Sequence, residues 1–317
     1  SMERLCELLS TTEGRELIQD ELEKAKAQDE TEVFANDSKK KIYMHWMYDV
    51  PMGEQLDDDG DSLESIEGCL TDAQYNRDEH RKAVIDDILD NWVSQSHNGK
   101  FHAILATSSI PEAIKYYKLF AQRDCGLKTT AVFDPSDGNN ESSIEKIDGI
   151  AQMLEDYNSL FGTCFNISGY ASFKRDVCAR LAHKTPYTAV ENEPSKCLDI
   201  LIVVDQMLTG YDSKWLNTLY MDKFYKWSNI EMIIQAFSRT NRVFNDDKPH
   251  GIIRYYRRPY TMKNIIEYAF EQYSGQKPYG IFVAKLIQNL ENMNAAFSDI
   301  NDIFKIAGIP DFFKTSR

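Results

Sequence analysis

Residues 233–242 read IIQAFSRTNR, with Gln235, Arg239 and Arg242 spaced four and then three apart. On a helix that spacing puts all three on one face. A planar, permanently charged guanidinium suits phosphate better than lysine does, so an arginine pair of this kind points to phosphate chemistry. A plainer reading also fits. Ile230, Ile233, Ile234 and Phe237 follow the apolar period of a half-buried helix, and the polar residues then fall on its open side. Three other clusters bear on the choice. Ser108 and Ser109 follow the apolar run FHAILAT, and Thr209-Gly210-Tyr211-Asp212 follows LDILIVVDQML. The stretch Arg254 to Tyr260, which includes Arg257 and Arg258, mixes basic and aromatic side chains. It reads either as a phosphate-binding and base-stacking patch or as a strand end whose tyrosines pack inward and whose arginines are solvated or paired.

These clusters need elements to hold them. A helical period in TDAQYNRDEHRKAVIDDILDNWVSQ precedes FHAILAT (101–107), a short apolar run that reads as a buried strand. SSIPEAIKYYKLFAQR then reads as a helix, with Ser108 or Ser109 as N-cap and Pro111 in its first turn. TTAVFD (129–134), LDILIVVDQ (198–206), TLYMDK (218–223) and GIIRYY (251–256) are further strands. Helices near 142–158 and 171–182 and the IIQAFSR helix lie between them. Strands alternating with helices predict an α/β fold, a parallel sheet with helices on both faces. On such sheets ligand groups gather at the carboxyl ends of the strands, and the polar clusters are expected there. The expected division is a helical, acidic connecting segment 1–70, a lobe 71–260 and a helical extension 261–317.

Composition narrows the rest. The 317 residues carry a net charge of −14, but residues 1–100 alone hold 25 acidic and 11 basic groups. Residues 214–263 hold 10 basic and 4 acidic, so a phosphate-binding surface can coexist with the acidic total. No apolar run reaches membrane-spanning length, and six cysteines without CxxC pairs or zinc-ligand spacing suggest free thiols and no metal site. The loop around Gly60 is no calcium hand, because Gln55 and Ile66 would occupy its first and twelfth ligand positions. Ser1 ahead of Met2 hints at a cut-out piece.

The segment DILIVVDQMLTGYDSKWLNTLYMDK followed by MIIQAFSRTNR resembles motifs V and VI of superfamily 2 helicases. LTGYD and QAFSRTNR are similar to the forms found in the R (HsdR) subunit of type I restriction enzymes, and FHAILATSSIPEAIKYY resembles motif IV. The likeness covers about 100–256 and is loosest over 135–195. It implies the second RecA-like lobe of a P-loop NTPase motor. Arg239 and Arg242 would then be arginine fingers reaching into ATP bound by another lobe, oriented by Gln235. Such fingers contribute roughly 10³–10⁵ in rate. Gly210 and Asp212 would lie beside the nucleotide, and Ser108, Ser109 and Thr209 would face DNA phosphates.

Ser238 and Asn241 stand where superfamily 2 proteins often have glycine in motif VI. The chain has no GxxxxGK[ST] loop, and Asp78-Glu79-His80 lies in a helical stretch with no strand before it, so it is no DExH box. The resemblance therefore implies part of a longer subunit whose nuclease and first motor lobe lie elsewhere in the chain. The intact subunit would use ATP and Mg²⁺ to translocate double-stranded DNA beside methyltransferase and specificity subunits in a bacterial or archaeal cytoplasm. This part alone would bind no nucleotide and be inactive. The lobe of another DNA helicase, or a non-catalytic binding or assembly module, are the alternatives.

Overall fold

A computed structural model describes residues 34, 37–57, 59–123, 125–133, 143–204, 211, 213–242, 244 and 247–273. Its centre is a five-stranded sheet in the order β2-β3-β1-β4-β5, formed by β1 (His102–Thr107), β2 (Thr129–Val132), β3 (Ile200–Val203), β4 (Leu216–Asp222) and β5 (Ile252–Tyr255). Every pairing is parallel. All residues of β1, β3 and β4 are buried, which is why they read as apolar runs and not as alternations. Edge strand β5 is half-exposed throughout.

The described helices are α1 (Asp37–Met44), α2 (Asp78–Gln95), α3 (Ile110–Gln122), α4 (Ser143–Phe161), α5 (Tyr170–Leu181), α6 (Ile230–Ser238) and α7 (Pro259–Tyr273). Helix α3 starts where the sequence requires. The Ser109 hydroxyl accepts the Glu112 N–H, and Pro111 occupies the first turn. Helix α2 begins later than its apolar period suggests, at Asp78, because residues 71–77 form a 3₁₀ turn and a bend. Asp78 and Glu79 then sit in its first turn, where the helix dipole favours acid. The crossovers from β1 to β2 and from β4 to β5 run in opposite directions, and the right-handed rule for parallel strands then assigns α3 and α6 to opposite faces of the sheet.

Buried charge fixes the carboxyl end of the sheet. Asp222 closes β4 with no solvent exposure. Its Oδ1 accepts from Arg257 Nε (2.9 Å) and bonds His80 Nε2 (2.7 Å). Its Oδ2 accepts from Arg257 Nη2 and the Tyr116 hydroxyl, both at 3.0 Å. Burial alone would raise this carboxyl, but the His80 and Arg257 hydrogen bonds outweigh it and hold Asp222 below the usual range. Beside it, Arg81 of α2 grips both oxygens of Glu112 at 2.7 Å. Together these contacts lock α2 and α3 to β4 and to the turn after β5.

The chain forms two compact units, Ser1–Ile266 and Glu267–Arg317. Within the first, the segment before α2 is clasped to the start of α7. The Glu67 carboxylate accepts the Tyr260 and Thr261 N–H groups at 3.0 and 2.7 Å, and the Glu54 N–H donates to the Thr261 hydroxyl. A Cβ on Gly53 would meet the Thr261 nitrogen at 2.5 Å, so only glycine permits this approach. The loop around Gly60 closes on itself, with Asp57 Oδ1 accepting the Asp59 and Asp61 N–H groups. The five described cysteines are free, and no described helix is long and apolar enough to cross a membrane.

Removing the Asp222 carboxylate strands the buried Arg257 charge. Asp222→Ala is expected to lower unfolding stability by about 3–5 kcal/mol, read as a shift of the urea midpoint. Burial pushes Glu67 up to about 7 from an ordinary 4.5, against the Thr261 hydrogen bonds and the Arg258 charge. The folded state then holds an extra proton between those values, so stability should fall as pH rises from about 4.5 to about 7. Glu67→Gln should flatten that part of the stability–pH curve.

Candidate functional site

The residues singled out for chemistry divide between the two ends of the sheet. Ser108 and Ser109 sit at the carboxyl end, just past β1, with Ser108 exposed and Ser109 half-buried. The Ser109 hydroxyl caps α3, which leaves Ser108 as the open member of the pair.

The motif around Gln235 belongs to the other end. Helix α6 leaves the carboxyl end of β4 through a 3₁₀ turn (Trp227–Asn229) and runs back along the sheet. It buries Ile233, Ala236 and Phe237 and leaves Gln235 exposed, as its apolar stripe requires. The helix stops at Ser238. Arg239 is its C-cap and keeps helical backbone angles, so it lies one turn beyond Gln235 on the same face. The chain then tightens. Both the N–H and the hydroxyl of Thr240 turn back onto the Phe237 carbonyl, at 3.2 and 3.0 Å. Arg242 therefore projects from a loop and not from the helical face that the spacing predicts. Arg239 is half-buried and Arg242 exposed.

Residues on either side of Arg242 are anchored at the amino end of the sheet. On one side Thr240 is buried against Gly251, just ahead of β5. A Cβ on Gly251 would lie 2.5 Å from the Thr240 carbonyl oxygen and hydroxyl. On the other, Phe244 packs on Trp215 (4.6 Å between centroids) and Phe101 (5.6 Å), which flank the first residues of β4 and β1. The arginine pair thus belongs to the amino-end rim, opposite the carboxyl-end placement expected from the fold class.

Tyr211 of the Thr-Gly-Tyr-Asp turn arrives at the same rim. Its buried hydroxyl is 3.0 Å from Nε2 of His102, the first residue of β1. Burial, together with the His183 and Lys248 charges, keeps His102 well below the ordinary histidine range and hence neutral. Thr209, Gly210 and Asp212 lie outside the described residues, so Tyr211 alone marks the turn.

Arg257 and Arg258 are corrected from DNA contacts to internal braces. Arg257 is 3% exposed and bound bidentately to Asp222. Arg258 donates through Nη2 to the Leu70 carbonyl at 2.7 Å, and its guanidinium lies 4.8 Å from the Phe224 ring centre. Arg254 and Tyr256 both bond Asp87 of α2. The basic-aromatic patch is therefore the paired strand end of the two readings. Asp78-Glu79-His80 lies in the first turn of α2, with His80 bonded to Asp222. Sequence reasoning missed Asp222 itself, although an acid closing an apolar strand was a visible signal that a buried partner was needed.

An all-parallel sheet with helical layers and an arginine-bearing loop after the β4 helix defines a RecA-like lobe. Residues 99–258, about half of the chain, match the family model described as type I restriction enzyme subunit R domain 3, and the chain belongs to that family. It is 32% identical over 213 residues to a type I restriction enzyme endonuclease subunit of Staphylococcus saprophyticus, covering 64% of this chain and 22% of that protein. A Staphylococcus aureus counterpart is 31% identical over 200 residues, covering 61% and 20%. A putative type I endonuclease subunit of Methanocaldococcus jannaschii is 30% identical over 125 residues, covering 39% and 11%. The aligned part thus spans about a fifth of the staphylococcal relatives.

Gly251→Ala tests the Thr240 anchor. The added methyl forces the loop that carries both arginines to shift, and a stability loss of about 1–3 kcal/mol is expected in thermal unfolding. An unchanged melting temperature would show that Thr240 yields without cost.

Proposed function

We propose that this chain supplies the second motor lobe of the R subunit of a type I restriction enzyme, a subunit that couples ATP hydrolysis to movement along double-stranded DNA before cleavage. The observation that carries the reading is the arginine pair. Arg239 and Arg242 stand at one rim on backbone anchored on both sides, in a family whose named relatives are restriction endonuclease subunits.

Phosphoryl transfer asks little covalent chemistry of a protein. It needs positive charge fixed where negative charge develops. In this reading the guanidiniums of Arg239 and Arg242 close on the γ-phosphate of ATP held by the first motor lobe. Gln235, one turn before Arg239, orients the set, and Gly210 and Asp212 lie beside the nucleotide. Mg²⁺ would be held with the ATP by the first motor lobe. Ser108 would meet DNA phosphate from the carboxyl-end rim, while Thr209, in the turn that Tyr211 marks, would reach the nucleic acid from the amino-end side. The amino- and carboxyl-end rims are separated by the length of β1, roughly 17 Å at the rise of a parallel strand. The rigid sheet would then connect a nucleotide contact at one rim to a DNA contact at the other. Methyltransferase and specificity subunits would choose the DNA site, since contacts to phosphate carry no sequence.

The test uses the full-length subunit assembled with its methyltransferase and specificity partners. Arg239→Ala and Arg242→Ala should each lower DNA-stimulated ATP hydrolysis by on the order of 10³-fold or more while DNA binding is retained. Wild-type hydrolysis in both variants would exclude the finger role and leave a scaffold.

A further inference from the structure

Lys248 is the largest unexplained expense in the lobe. It is fully buried, and no acidic group among the described residues pairs with it. Its ammonium donates instead to two main-chain carbonyls, those of Leu216 (2.6 Å) and Lys214 (3.2 Å). A buried cation on main-chain carbonyls is costly, and burial pushes it down to about 8.

The sheet shows why those carbonyls need a donor. The β1–β4 register slips between His102 and Ala103, whose partners are Leu216 and Thr218. Strand β5 joins β4 only from Thr218 onward. The first residues of β4 therefore run ahead of the ladder on their β5 side, and the Lys248 side chain fills the place a strand would take. Its own backbone is tied to Phe244 by two hydrogen bonds of 3.1 Å, an isolated antiparallel bridge two residues beyond Arg242.

We propose that Lys248 is a positioning residue for Arg242, fastening the Phe244–Lys248 bridge to the foot of β4 and so fixing the backbone from which that arginine projects. The ammonium acts at a distance from phosphate, through the bridge. The proposal rests on the motor reading above.

The experiment places Lys248→Met, Arg242→Ala and the double substitution in the full-length, assembled subunit and measures DNA-stimulated kcat, KM for ATP and melting temperature. Lys248→Met should fold and lower kcat about 10-fold or more, as displacement of a catalytic group does, with KM within about 2-fold. The double variant should be no slower than Arg242→Ala alone, because the lysine acts only through that arginine. An unchanged kcat in Lys248→Met, or losses that multiply in the double variant, would overturn the proposal. Lys248→Gln offers amide donors from a side chain one atom shorter and should fall in between. It carries the test if the methionine variant does not fold, and wild-type kcat there would also overturn the proposal. A normal kcat in Arg242→Ala and Arg239→Ala would instead sink the motor reading on which the proposal rests.

Discussion

One carboxylate sets the orientation of most of the lobe. Asp222 has no access to water and receives Arg257, Tyr116 and His80 from three separate elements. Desolvating these groups costs about as much as their attraction returns, so their net contribution over a well-packed apolar core is small. What the network supplies is direction. A bidentate guanidinium, a phenol and an imidazole meet one planar group only in one arrangement of α2, α3, β4 and the turn after β5. The Arg81–Glu112 pair repeats the device one layer out and fixes α2 against α3.

The opposite rim is held in a different way, by backbone contacts and aromatic packing. Thr240 against Gly251, Phe244 against Trp215 and Lys248 against two carbonyls are all contacts of position and not of charge partnership. They leave the guanidinium of Arg242 outside the core while the chain carrying it is fixed. A group that must meet a ligand supplied by another part of a protein needs this combination of an exposed head on a preorganised base.

Much of this fold was legible in the residues. The apolar runs of β1, β3 and β4 have no alternation because helices cover both faces, and Ser109 with Pro111 announced α3. The family was legible as well, in the segments LTGYD and QAFSRTNR. Their placement was not. The end of α6 is set by Thr240 folding back onto Phe237, and that turn depends on Gly251 eleven residues later. The rim to which Arg242 belongs is decided by Phe101, Trp215 and Phe244, which no local period connects. Arg257 looked like a surface charge because its partner lies 35 positions earlier, and nothing near His80 announced a partner 142 positions away. Tertiary pairing decides such residues, and a one-dimensional pattern carries no trace of it.

The strand order has a consequence for synthesis. Strand β1 is the first made and lies at the centre, between β3 and β4. Its pairing partners begin at Ile200 and Leu216, about 100 residues after it has left the ribosome, or roughly 5–20 s at ordinary elongation rates. For that interval a strand that ends up fully buried has two open edges and no partner. The nascent chain thus carries its central strand with both edges unpaired until the residues of β3 and β4 arrive.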